Sequence, residues 1–208
     1  MYIPTAFRED KLESLHEIIR SYAFGTLVTY LDGCPFATHL PFLLDSSRGV
    51  FGTLRAHMAR PNPQWKGFGT GDTRGSAEAM VIFQGPHAYI SPSWYLQQPS
   101  VPTWNYIAVH AYGSPRCVAD EDLKEILMET VATFEVPGSE FVLPDEYFQK
   151  MAAGVVGFEI EITQLEGKCK LSQNRSAEDR RVVIAELSKS ESTVDRETAE
   201  WMQRGMVG

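Results

Sequence analysis

The spacing of apolar and polar positions predicts a strand-rich body with helices near both ends of the chain. Leu12, Leu15, Ile18, Ile19 and Tyr22 recur at helical intervals. They follow Asp10 and Glu13, which have capping-box spacing with Asp in place of Ser or Thr, so the first element is an amphipathic helix. Phe24–Tyr30 and Phe36–Leu44 read as strands around Asp32-Gly33, a strong hairpin signal. A turn at Ser46–Gly49 then leads to a third strand, Val50–Ala56. The polar run from His57 to Trp65 holds Pro61 and Pro63 and is expected to leave the sheet, and Gly67–Gly75 reads as a glycine-rich loop without the lysine of a phosphate-binding loop. Met80–Phe83, Ala88–Ile90 and Trp104–Tyr112 are expected as short strands parted by Gly85-Pro86, Ser91-Pro92-Ser93 and Pro99–Pro102. Asp120–Glu135 aligns Leu123, Ile126, Leu127, Val131 and Phe134 on one helical face, and Pro144–Ala152 gives a shorter helix. Val156–Thr163 alternates as the last strand, and helices over Ala177–Ser188 and Val194–Arg204 close the chain. Strands in runs, with helices at the ends, argue for an α+β β-barrel over a βαβ fold, which disfavours a Rossmann site.

Composition narrows this further. A length of 208 residues suits a single domain with its own core. With 19 basic against 27 acidic residues, the net charge of −8 provides no global field for nucleic acid or an anionic membrane. Cys34, Cys117 and Cys169 suggest neither a disulfide framework nor a metal site. The opening MYIPTAFRED lacks the features of a signal peptide, and no apolar run reaches membrane-spanning length, so a cytoplasmic protein is expected.

The unusual chemistry is concentrated between Met80 and Gly113, where Trp94, Trp104, Tyr89, Tyr95, Tyr106 and Tyr112 are interleaved with His87, Ser91, Ser93, Asn105 and His110. A plain barrel core would use the aromatics, whereas the polar residues need partners if buried, so core and flat-ligand pocket are both open readings. Thr38-His39-Leu40-Pro41-Phe42 has a proline that marks an edge or a bulge, and edge backbone can meet a heterocycle's carbonyls and N–H. His57, Arg60, Asn62 and Gln64 read either as a solvated loop or as a phosphate seat. From Glu166 to Arg181 the chain is basic, through Lys168, Lys170, Arg175, Arg180 and Arg181, and is either a helix flank capped by Ser176 or a second anion-binding element. Hydrolase triads, paired carboxylates, zinc spacings and a helix-turn-helix are not recognised in the sequence.

MYIPTAF, FGTLVT, ATHLPFLL, GTLRAHMARPNPQW, VIFQGPHAYISPSWY, VPTWNYIAVHAYG and VGFEIEITQLEGKCKLSQNR, in that order, resemble the PaiB-type FMN-binding negative transcriptional regulator family, to about Arg181. One departure is Arg60-Pro61-Asn62-Pro63, where the family usually reads Ala-Asn-Pro. The resemblance implies an antiparallel split β-barrel like that of flavin reductases and pyridoxamine-phosphate oxidases. It would form one domain over residues 1–208, with 167–208 a C-terminal motif and helices packed on the barrel. It also implies non-covalent FMN at a homodimer interface, and the apolar surface left by short, aromatic-rich strands places Trp94, Trp104 and Lys168–Arg175 at that interface as an expectation. On this reading the isoalloxazine lies against the aromatic stretch, with Asn105, and against Thr38, His39, Leu40 and Pro41. The phosphate is held by the His57, Arg60 and Asn62 loop or by Lys170, Ser172, Gln173, Asn174 and Arg175. The functional expectation is a flavin-binding regulator whose direct DNA binding is doubtful on charge grounds. The alternatives are an FMN-dependent oxidoreductase and a structural protein with a vestigial flavin site.

Overall fold

The computed structural model describes residues 1–70, 78–136 and 144–205. The strands are β1 (Arg8–Glu9), β2 (Phe24–Leu31), β3 (Cys34–Pro41), β4 (Leu43–Asp45), β5 (Thr53–Ala59), β6 (Gly69–Thr70), β7 (Ala79–Ile90), β8 (Thr103–Gly113), β9 (Pro115–Cys117), β10 (Val155–Glu161) and β11 (Gln164–Lys170). The helices are α1 (Leu12–Ser21), α2 (Asp120–Phe134), α3 (Asp145–Ala152), α4 (Ala177–Ser188) and α5 (Thr193–Arg204). The chain forms two compact units, one of Met1–Ile18, Gln84–Val109 and Glu166–Gly208, the other of Ile19–Phe83 and His110–Leu165.

In the second unit, Asp32 and Gly33 both take positive φ, 52° and 77°, and close the β2–β3 hairpin with Leu31 opposite Cys34. Pro41 ends β3, and Phe42 instead donates its N–H to Ala23 O, so the expected Phe36–Leu44 strand becomes two. The segment after Phe42 joins a second sheet in the order β4-β5-β10-β9-β6, antiparallel except for the parallel β6–β9 pair. The expectation that His57 begins a loop is corrected, because β5 runs on to Ala59 with His57 opposite Gly157 and Met58 opposite Val156. Pro61 is the first residue that cannot extend this ladder. Leu54, Ala56 and Met58 of β5 and Phe158 and Ile160 of β10 are buried with Phe42, Phe68 and Phe83. Phe42 meets Phe83 and Phe158 edge-on, with ring centroids 5.6 and 6.3 Å apart. Gly25 lets these side chains close up, since a Cβ there would stand 3.0–3.1 Å from Phe83, Phe42 and Val81.

Two further strand expectations need correction. Gly85-Pro86 does not interrupt β7, whose registered pairing with β2 covers only Met80–Ile82, so Pro86 removes no ladder bond on that side. The motif after β10 is also not all loop, since β11 places Arg8 opposite Lys168 and Glu9 opposite Gly167. A Cβ on Gly167 would lie 2.8 Å from Glu9 O, so this pairing needs a glycine. The buried residues of the first unit include Ile90 and Ile107 of its strands and Val183, Leu187 and Met202 of α4 and α5. Part of the expected Gly67–Gly75 loop lies outside the described residues, while Pro63–Gly67 is a 3₁₀ turn.

Candidate functional site

The sequence-predicted residues fall into two clusters, one in each unit. In the second unit, β3 ends its sheet and pairs only with β2, so one row of its backbone N–H and C=O groups has no strand partner among the described residues. Thr38 Oγ1 accepts a hydrogen bond from Asn62 Nδ2 at 2.9 Å, which ties the edge strand to the loop leaving β5. Asn62 also caps the 3₁₀ turn, its Oδ1 accepting from Gln64 N at 3.0 Å. Gln64 is buried; its Nε2 reaches Thr29 Oγ1 at 3.0 Å and Phe36 O at 3.3 Å, while its Oε1 has no hydrogen-bond partner among the described residues. His39 is exposed, with Nδ1 2.9 Å from Thr26 Oγ1 and its ring against Phe24. Leu40 points into the core and Pro41 closes the strand.

Arg60 and His57 are placed differently from Thr38 and Asn62. The Arg60 guanidinium donates from Nε to Ala153 O and from Nη2 to Val155 O, both at 2.7 Å, while its backbone N–H reaches Gly154 O at 2.9 Å. It therefore clamps the junction between α3 and β10 and satisfies carbonyls at the C-terminal end of α3. His57 lies on the same face of β5 as Arg55, which bonds Glu125 of α2, and not on the core face of Ala56 and Met58. Burial pushes the His57 imidazole below its usual value, and its Nδ1 has no partner among the described residues.

In the first unit, Trp104 is 53% exposed and is flanked by His87 and Tyr89, with ring centroids 6.1 and 5.9 Å away. Trp94 lies in a 3₁₀ turn capped by Ser91 and is half-buried. Lys170 is held beside this aromatic wall, its Nζ donating to Thr103 Oγ1 at 2.6 Å and to Trp104 O. Burial, with help from Lys168 and Arg175, lowers its ammonium below the usual lysine value. Asn105 is fully buried and satisfied by Ser172 Oγ at 3.0 Å, so it joins β8 to the turn after β11 and is not open to a ligand. Ser172 holds a positive φ of 63° for that turn. Gln173 bonds back to Leu171 N at 2.7 Å, Asn174 is exposed, and Arg175 stacks on Tyr95 with Cζ 4.2 Å from the ring centre. Glu159, Arg48, Arg55 and Arg116, which form a charged network on the second sheet, were not singled out by the sequence; Glu159 and Arg48 are 111 positions apart and no local spacing joins them.

Among the solved structures that share this architecture, two illustrate it. One is the FAD and heme binding protein from Mycobacterium smegmatis, with TM-score 0.60, 16% identity and 84% of this chain matched to 78% of that one. The other is the flavocytochrome Anf3 from Azotobacter vinelandii, with TM-score 0.59, 13% identity and 78% matched to 69%. They establish the fold class, an α+β antiparallel split barrel. Residues 1–164 match the family model described as "Putative FMN-binding domain". Over 207 residues the chain is 37% identical to protease synthase and sporulation protein PAI 2 of Bacillus subtilis, covering 98% of this chain and 97% of that protein. The chain belongs to this FMN-binding family, that of the PaiB-type proteins, and FMN is its cofactor. Among the described residues no group of side chains could hold a metal ion, and no helix is long and apolar enough to cross a membrane.

Proposed function

We propose that this protein is a homodimeric PaiB-like regulator that holds FMN non-covalently at its subunit interface. The observation that carries the reading is the edge of β3, where unpaired backbone groups run beside the Thr38–Asn62 hydrogen bond. The pyrimidine end of an isoalloxazine presents one N–H donor between two carbonyl acceptors, a pattern that edge backbone complements. Thr38 and Asn62 would hold that end, and the neighbouring Gln64 has an Oε1 without a hydrogen-bond partner among the described residues. The exposed face of Trp104 supplies the kind of surface a flat ring covers, and Lys170 and Arg175 supply positive charge for a phosphate. Bound FMN supplies electron-transfer chemistry; this chain's residues bind, orient and desolvate it.

The test is titration of the purified protein with FMN and with riboflavin, followed by quenching of flavin fluorescence, with sedimentation to read the assembly. Asn62→Ala is expected to weaken both ligands by roughly tenfold, whereas Lys170→Gln weakens FMN by about tenfold or more and leaves riboflavin nearly unchanged. Unaltered affinity in both variants would remove these residues from the site, and a monomer carrying a full complement of FMN would exclude the interface.

A further inference from the structure

We propose that the charge-free outer face of β2, β3 and β7, in the second unit, is where a second copy of this chain docks, which rests on the homodimeric reading and adds the contact surface to it. In β2, Gly25, Leu27 and Thr29 are buried, so Phe24, Thr26, Val28 and Tyr30 line the opposite face. Strand register sets alternate residues of β3, from Pro41 back to Pro35, against these four, and Ile82 and Met80 of β7 against Thr26 and Val28. None of these side chains carries a carboxylate, ammonium or guanidinium group. In a chain whose residues are 22% charged, that sets the face apart from the rest of the surface.

The face is open at both ends. Phe24 is 69% and Tyr30 72% exposed, and Ala37 and His39 between them are exposed too. Large aromatic side chains bury about 150–250 Å² each, so covering these two rings alone takes on the order of 300 Å² out of water. The other side chains of the three strands bring the face toward the roughly 800 Å² that one partner gives to a standard interface. β3 also ends its sheet among the described residues, and exposed edge strands are ordinarily guarded, yet Phe36–Leu40 holds no lysine, arginine, carboxylate or proline. An unguarded strand of this kind fits one that is covered in the assembly.

Charge selects a second copy as the occupant. Two molecules that each carry a net charge of −8 repel, and a surface without charge is where they meet at least electrostatic cost. A strongly charged partner would find no counter-ion here and would have to desolvate its own charges. A two-fold pair presents the same patch from both sides, and a face of rings, hydroxyls and small apolar groups is complementary to itself. The face also borders the β3 edge, so the second copy sits beside the Thr38–Asn62 hydrogen bond, as FMN at a subunit interface requires.

Sedimentation of the whole protein with FMN, and of variants checked for folding by circular dichroism, tests this. Tyr30→Glu and Phe24→Lys each place an unpaired charge in the contact, and each is expected to raise the dimer dissociation constant by about a hundredfold or more, leaving a monomer at about 10 µM. The two charges have opposite sign, so a loss shared by both excludes an effect of net charge. Should neither charged variant fold, Tyr30→Ser, which only removes the ring, reads the same contact through a loss of about tenfold. Met128→Glu, on α2 and 56% exposed in the parent protein, is expected to leave the dimer intact. A dimer that persists undiminished in any folded variant of Tyr30 or Phe24, or one that Met128→Glu dissociates equally, would overturn the proposal and leave the homodimer standing, whereas a monomeric parent protein would overturn both. A monomeric Tyr30→Glu protein that keeps its full affinity for FMN would support this docking face and remove only the flavin from the interface.

Discussion

Replacing Glu159 by Gln should produce a stability loss with a distinctive pH dependence. Glu159 is 6% exposed and anchors Arg48 and Arg116, so the amide variant keeps the shape but leaves two guanidinia converging on a neutral group. Breaking a buried pair costs about 3–5 kcal/mol, and because both arginines are nearly half exposed to screening water we expect about 2–3 kcal/mol at pH 7. For a chain of this size that lowers Tm by roughly 4–12 °C. Burial alone would raise the Glu159 pKa, but the hydrogen bonds and charges of Arg48 and Arg116 outweigh it and hold the carboxyl below its usual value. A depressed carboxyl contributes stability that is full above the unfolded pKa, about 4.3, and fades as pH falls through the folded value. Urea or thermal unfolding of both proteins from pH 7 to pH 3 should therefore show a gap that is constant down to about pH 5 and closes below about pH 4. A gap that persists undiminished at pH 3 would mean that the loss comes from packing, and a gap under about 0.5 kcal/mol at pH 7 would refute the role of the pair.

Two other predictions rest on burial. His57, with its imidazole pushed down by burial, should titrate by NMR below the usual histidine value of about 6.5. Because its folded pKa is depressed, its contribution to stability is full above the unfolded value of about 6.5 and is lost as pH falls from there through the folded value, so His57→Gln should flatten the stability slope below about pH 7. An imidazole titrating above 6.5 would contradict the burial argument. A disulfide reagent at mildly alkaline pH should modify Cys34 in a fast phase that Cys34→Ser abolishes, since Cys34 is exposed while burial raises the Cys117 thiol and pushes Cys169 up to about 12. A second thiol reacting equally fast in the folded protein would show that these environments open readily.

Local signals in the sequence carried the local structure. Asp32-Gly33 specifies its hairpin because both residues tolerate the positive φ that the turn demands, and the apolar spacing of Ala177–Ser188 marks α4 to the residue. The misreadings arise where a distant partner decides. His57 and Met58 read as loop because polar residues and prolines follow, but β10, about a hundred positions later, supplies the backbone partners that extend β5 to Ala59. Glu159 alternates with Phe158 and Ile160 as a solvent-facing residue should, and only the cover of α2 and the two arginines makes it buried. For the candidate site, sequence pointed to Thr38 and Asn62, which the fold brings together, and to Asn105, whose buried partner Ser172 no spacing could reveal.

The C-terminal helices bear on how such a protein could regulate. No helix-turn-helix is recognised in the sequence, yet α4 and α5 are joined by only the residues 189–192, a connection short enough for a DNA-reading pair. Their charge argues against that use. In α4, Glu178, Asp179 and Glu186 outnumber Arg180 and Arg181, and in α5, Asp195, Glu197 and Glu200 outnumber Arg196 and Arg204. Several of these cations are also occupied within the fold: Arg196 Nη1 donates to Ser190 O and Glu191 O, Arg180 Nη2 to Gly205 O, and Arg204 pairs with Glu17. Each phosphate neutralised adds about 0.9 to the slope of log affinity against log salt, and a surface with so few available cations has little of that affinity to gain. The FMN-loaded protein should therefore give no sequence-specific gel shift at nanomolar concentration in about 150 mM salt, any regulation then acting through a partner or the state of the flavin. A specific shift under those conditions, with a steep salt slope that Arg181→Gln reduces by about one unit, would instead make α4 and α5 the DNA-binding surface.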